Sequence, residues 1–251
     1  MYTQKTYRCG KVVYIEKTQT RRYLKGEKRK ERVKPTPEQK EEENRRAAER
    51  KLKRKIAANF GEDDYWITLT YKRENRADLE QSEKNLKSFM RKLRAAYQKE
   101  GAELKYILVT EWKGKAIHHH MLLNGIDKTT KLVKQLWPYG RPDYKMLEDT
   151  GDWSELAAYM VKETSQTFRS QESAKKQRYT CSRNLTDPKP EVKEIWSASF
   201  RREPKPWKGY EIVKGSLVQG ISEVTGYMYQ YYSMREINDE QNVQRTRHRL
   251  S

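Results

Sequence analysis

The sequence predicts an α+β fold in which helices pack on a central antiparallel sheet. Three observations carry this. Residues 65–71, 105–112 and 117–123 are dense in β-branched and aromatic side chains. Leu79, Leu86, Phe89, Met90, Leu93 and Tyr97 recur at helical spacing between the first two of these runs. Only the short turn Lys113-Gly114-Lys115 separates the second run from the third, so those two strands form a hairpin.

The remaining elements follow in order. Residues 12–17 and 21–24 read as short strands. Thr36 is a good N-cap, Pro37 suits the first helical position and Gln39 completes a capping box, so a helix starts there and runs to Asn59. Its apolar residues are few (Ala47, Ala48, Leu52 and Ile56), which leaves most of its circumference wet. Residues 132–137 form a short helix ended by Pro138, and residues 144–147 another strand. Asp152 as N-cap and Glu155 three residues on open a helix through Tyr159 to Thr164. Residues 165–177 are polar and read as loop. Further β-like stretches lie around Thr180 and in residues 195–200, 210–213 and 225–232. The order strand, helix, hairpin, helix, strand, helix gives a sheet with helices on it. This divides the chain into a basic DNA-binding extension (1–60), a core (61–190), a β-rich C-terminal segment (191–238) and a polar tail expected to be disordered (239–251).

Composition narrows the partners. Of 251 residues 35% are charged, and the formal net charge is +19. Residues 1–60 hold 20 Lys and Arg against 8 Asp and Glu, most of that excess. Such a surface attracts polyanions, and nucleic acid is the partner it fits. Cys9 and Cys181 are the only cysteines, too few and too far apart for a disulfide framework or a zinc ribbon. The N-terminus lacks the apolar segment of a signal peptide, and no apolar run reaches the ~20 residues of a membrane span. A cytoplasmic protein with no membrane partner is expected. No Gly-x-x-x-x-Gly-Lys-Ser/Thr loop is present, so no nucleotide cofactor and no helicase domain are expected.

His118-His119-His120 is an internal triplet within an apolar strand. Side chains alternate along a strand, so His118 and His120 share one face and His119 takes the other. Two imidazoles on one face can share a metal ion. Glu111, at the end of the neighbouring strand across the hairpin, can reach the same face as a third ligand. Two histidines and a carboxylate leave open positions, the pattern of a catalytic rather than a structural site. Phosphate chemistry favours Mg²⁺ or Mn²⁺, and the imidazoles tilt the choice to Mn²⁺.

Among 17 tyrosines, Tyr159 stands out by its context. Lys162 is three residues on and shares its helical face. A phenol with a pKa of about 10 is a weak nucleophile unless its electrophile is polarised or positive charge lies nearby. A metal-bound phosphate would supply the first and Lys162 the second.

Together these residues resemble the HUH endonucleases, and within them the single-tyrosine rolling-circle replication initiators (Rep proteins) of bacterial plasmids and phages. Trp66-Ile67-Thr68-Leu69-Thr70-Tyr71 looks like the first strand motif of that family, His118-His119-His120 with Met121-Leu122-Leu123 like its paired-histidine motif, and Tyr159-Met160-Val161-Lys162 like its Tyr-x-x-Lys motif. The middle residue of the pair is normally hydrophobic, and here it is His119. The resemblance covers residues 60–165, with a weaker similarity through residues 178–185 to Tyr210. It implies an RRM-like palm and a bacterial host cell. It also implies metal-assisted attack of Tyr159 on single-stranded origin DNA beside a hairpin, leaving a 5′-phosphotyrosine and a free 3′-OH. A host polymerase would extend that end while a host helicase unwinds. Candidate phosphate contacts are Arg21, Arg22, Lys28, Arg29 and Lys30, and near the site Lys113, Lys115 and Arg183. The competing readings are a transposase or relaxase with the same chemistry, a sheet that stacks single strands without cutting them, and a water-using hydrolase.

Overall fold

The computed structural model describes residues 1–20, 34–112, 116–148, 152–168, 179–197 and 199–237, with side chains of the fourth helix described through Lys162. The predicted strand at residues 21–24, the turn Lys113-Gly114-Lys115, the tail 239–251, and Arg21, Arg22, Lys28, Arg29 and Lys30 lie outside the described residues. Among those described, four α-helices accompany two antiparallel sheets, so the fold is α+β. No helix among them is long and apolar enough to cross a membrane. The chain forms two compact units, one drawn from Met1–Ala58, Gly151–Trp153 and Asp187–Ser251, the other from Asn59–Thr150 and Ser154–Thr186.

In the second unit, β3 (Tyr65–Leu69), β4 (Tyr106–Glu111), β5 (His118–Leu123), β6 (Asp143–Met146) and β7 (Thr180–Cys181) form a sheet in the order β6-β3-β5-β4-β7. Helix α2 (Leu79–Lys99) is capped by Asp78, whose side chain accepts the Gln81 N–H. Its Phe89, Met90, Leu93 and Tyr97 join Val133 of α3 (Thr129–Leu136) and Trp137 in a core over Ile67, Leu69, Leu108, Met121 and Leu123. Those strand residues are alternate ones, so α2 and α3 cover a single face. The other face carries Trp66, Thr68, Glu111, His118 and His120, and α4 (Ser154–Phe168) lies against β4 there, burying Ala157, Met160 and Val161. Helix α4 runs four residues beyond Thr164, so residues 165–168 are helix rather than the predicted loop. Polar residues continue a helix when only one stripe of it is buried. Gly140 lets the chain close over the end of β3, because a Cβ there would lie 2.0 Å from the Thr70 carbonyl oxygen.

In the first unit, β1 (Tyr2–Cys9), β2 (Val12–Gln19), β8 (Glu191–Ile195), β9 (Tyr210–Ile212), β10 (Val218–Ile221) and β11 (Met228–Glu236) form a six-stranded sheet. Its path is β10-β11-β2-β1-β8, with β9 also on β11. Strands from residues 1–60 and from the C-terminal segment thus pair in a single sheet; β2 lies between β1 and β11. Helix α1 (Pro37–Asn59) begins at the predicted capping box: Gln39 N–H donates to Thr36 Oγ1, and Thr36 N–H donates to Gln39 Oε1. It docks Leu52, Ile56 and Ala57 on the sheet, with Arg54 stacked over Tyr7 and ion-paired to Glu16, and Arg50 over Tyr231. Three strand boundaries differ from expectation. β8 precedes the predicted stretch 195–200, β11 begins at Met228 after a turn at Gly226, and β1 and β10 carried no prediction. β8 and β10 are exposed edge strands, so their sequences lack the alternation that a buried face imposes.

Candidate metal and nucleophile site

Glu111 is paired directly opposite His118 across the β4–β5 hairpin, and Val109 opposite His120. Residues in direct register share a face, so the carboxylate and both outer imidazoles converge. Glu111 Oε2 lies 3.0 Å from His118 Nε2, and Oε1 lies 3.1 Å from His120 Nε2. One ligand atom from each of the three lies within 4.8 Å of the others. Glu111 and His120 are buried and His118 is partly so.

Each outer imidazole is held by its far nitrogen. His118 Nδ1 lies 2.9 Å from the Ala116 carbonyl oxygen, which only accepts, so this nitrogen carries a proton. His120 Nδ1 lies 3.1 Å from Thr68 Oγ1. With both Nδ1 atoms engaged, both Nε2 atoms are the ones left to bind a cation, and they face Glu111. The donor set therefore fits a divalent ion in a His₂–carboxylate arrangement. Trp66 stacks on the His120 ring, at 5.2 Å and 13°, and meets Tyr159 edge-on at 5.9 Å.

His119 points into the opposite face. It is fully buried; its Nδ1 lies 2.9 Å from Thr110 Oγ1 and its Nε2 3.2 Å from the Tyr71 hydroxyl. Burial first, then the charges of His118 and His120, push its pKa down to about 3, so it is neutral. A histidine can replace the family's hydrophobic residue here because both ring nitrogens have partners.

Tyr159 comes to this group from α4. Its hydroxyl donates to Glu111 Oε1 at 2.8 Å and lies 2.9 Å from His120 Nε2. Ala157, Met160 and Val161 fix the helix below it, while Tyr159 itself stays 37% exposed, enough for a substrate to reach its oxygen. Lys162 is one turn on and exposed, and among the described residues it makes no hydrogen bond or ion pair. Arg183 does not approach the site. Cys181 pairs with Ile107, so the chain beyond it runs toward the end of β4 remote from Glu111, about 20 Å away at about 3.3 Å per residue.

Residues 64–168 match the family model of the replication-associated proteins of the ORF2 type. The stretch similar to these replication-associated proteins contains all of β3 to α4, hence Glu111, His118, His120 and Tyr159 together. No curated protein and no solved structure matches the chain. Sequence reasoning missed Thr68 and Trp66. Their only signal is alternation on β3, and their partner is identified only once β3 pairs with β5, Thr68 opposite His120.

Proposed function

We propose that the protein is a rolling-circle replication initiator that nicks and rejoins single-stranded DNA through Tyr159. The observation that carries this reading is the Tyr159 hydroxyl within hydrogen-bond reach of both Glu111 and His120. A merely structural tyrosine has no need to end at a metal-type donor set, and the similarity of this stretch to replication-associated proteins agrees with a replication role.

Glu111, His118 and His120 would hold Mn²⁺ or Mg²⁺, which when bound supplies positive charge to a phosphate oxygen. This chain's residues do the rest. Helix α4 holds the phenol oxygen for in-line approach, and Trp66 and Thr68 fix the His120 ring beside it. The Tyr159 oxygen attacks phosphorus and forms a new O–P bond. The phenol proton has its first acceptor in Glu111 Oε1. The bond from phosphorus to the 3′ oxygen breaks, and that oxygen takes up one proton to become a 3′-OH. Exposed Lys162 contributes positive charge one helical turn away. Attack by a 3′-OH on the phosphotyrosine reverses every bond change and frees Tyr159, so joining needs no nucleotide cofactor. With a single tyrosine in the motif, termination draws on Tyr159 of a second copy, on water, or on a second cycle. A host polymerase and helicase complete replication.

The test is incubation with end-labelled single-stranded DNA of the protein's own replicon, with Mn²⁺ or with EDTA, resolved on a denaturing gel. A metal-dependent labelled protein band that disappears in Tyr159→Phe is expected. Cleavage without a protein band would indicate a water-using nuclease. Firm binding in EDTA with no cleavage under any condition would indicate a stacking module.

A further inference from the structure

The six-stranded sheet has a second charged surface, on the face opposite α1. On β11 the residues that meet α1, such as Tyr231, alternate with Gln230, Tyr232 and Met234, and residues 199–209 cross that second face as an extended strap. The strap is built in. Gln230, wholly buried, donates from Nε2 to the carbonyl oxygens of Arg201 (2.7 Å) and Arg202 (3.2 Å). Phe200 meets Tyr2 edge-on, Pro204 is buried, and Trp207 packs against Val13, Ile15, Tyr232 and Met234. These anchors are backbone or apolar, so the charged side chains are left over. Arg201, Arg202, Lys205 and Lys208 are exposed, and Arg8 of β1 lies 5.0 Å over the Trp207 ring. None of the five makes a salt bridge among the described residues.

Beneath them is another cation. Lys17 is 8% exposed, bonds Gln230 Oε1 at 3.2 Å, and sits 5.3 Å from the Tyr232 ring and 6.0 Å from that of Phe200, with no carboxylate paired to it. Burial, and after it the charge of Arg201, pushes its pKa down. Like charges gathered on a rigid anchor without a paired acid destabilise the unliganded fold. Such local conflicts are what functional surfaces retain.

We propose that this strap is a clamp for the backbone of duplex DNA, with Arg8, Arg201, Arg202, Lys205 and Lys208 on its phosphates. An extended stretch from 201 to 208 reaches about 23 Å, and one DNA strand places a phosphate every ~3.4 Å of helix axis. The strap therefore spans roughly six or seven phosphates, room for all five cations. Contacts of this kind hold the duplex in register without reading bases. The inference rests on DNA as partner, which it shares with the proposed function, but it needs no chemistry at Tyr159.

The full-length chain is titrated by fluorescence anisotropy against a short labelled duplex of mixed sequence at several salt concentrations, in EDTA. In Arg201→Gln/Arg202→Gln/Lys205→Gln/Lys208→Gln the slope of log K against log salt flattens by about 3 to 4, at ~0.9 per phosphate lost. Arg91→Gln/Lys92→Gln/Arg94→Gln/Lys99→Gln, an equal charge loss from exposed positions on α2, keeps a slope within about one of the wild type. Arg201→Lys/Arg202→Lys keeps the full slope, since charge alone is read. A strap variant with the wild-type slope, or with no more flattening than the α2 variant, overturns the proposal. So does flattening on a single-stranded probe with none on the duplex. Tyr159→Phe keeps the wild-type slope, so loss of nicking and loss of the clamp are separate results.

Discussion

The two faces of the five-stranded sheet put one residue type to opposite uses. His118 and His120 each engage Nδ1 locally and turn Nε2 toward Glu111. His119, between them, engages both nitrogens, with Thr110 and Tyr71, and is packed edge-on against Trp137. What separates a ligand from a core residue here is the number of ring nitrogens already spoken for. A buried imidazole with two hydroxyl partners has nothing left to give a metal, whereas one with a single partner presents a lone pair in a fixed direction.

The largest effect expected from this contrast lies between His120→Ala and His119→Leu. The first removes a ligand, so Mn²⁺ binding measured by electron paramagnetic resonance and nicking measured on the gel both fall to background. The second leaves the ligands in place, and Mn²⁺ affinity stays within a few-fold of wild type. It strands the Thr110 and Tyr71 hydroxyls in the core, for a loss of about 1–3 kcal/mol in denaturant unfolding. If His119→Leu lost Mn²⁺ while the fold held, the division between the faces would be wrong.

A smaller effect tests the far nitrogen. Thr68→Val keeps the volume and removes the partner of His120 Nδ1, and Mn²⁺ affinity should drop about 10- to 100-fold. Thr68→Ser should restore it. A purely packing role for Thr68 predicts the reverse order, with Val the better substitute. Trp66→Ala should weaken the same site by removing the ring stacked on His120, worth about 0.5–1.5 kcal/mol, with Trp66→Phe recovering part of the loss.

This contrast also marks what was legible in the sequence. Alternation along residues 117–123 assigns His118 and His120 to one face, and the short hairpin brings Glu111 across, so the ligand set follows from local spacing. The capping box at Thr36 and Gln39 and the apolar spacing of α2 are local in the same sense, and both elements appear where expected. Thr68 could not be read this way, because its role depends on β3 pairing with β5, some fifty residues along the chain. The pairing of β1 and β2 with β11 is longer-ranged still, and β8 and β10 are edge strands without a buried face to pattern them. Arg183 shows the opposite error. Near in sequence to β7, it is carried away from Glu111 by the antiparallel direction of that strand.

The smallest expected effects concern the network behind the site. Tyr71→Phe and Thr110→Val each remove one hydroxyl from His119, and each should cost about 0.5–1.5 kcal/mol of stability. Neither should alter Mn²⁺ affinity, since His119 faces away from Glu111. Because both hydroxyls share one imidazole, the double variant should depart from additivity by about 0.5 kcal/mol or more, read from a denaturant double-mutant cycle. Strict additivity would mean that His119 is held by packing against Trp137 and Tyr71 rather than by its two hydrogen bonds. In that case a hydrophobic residue at 119 would serve the fold equally well, and the loss predicted for His119→Leu should vanish along with it.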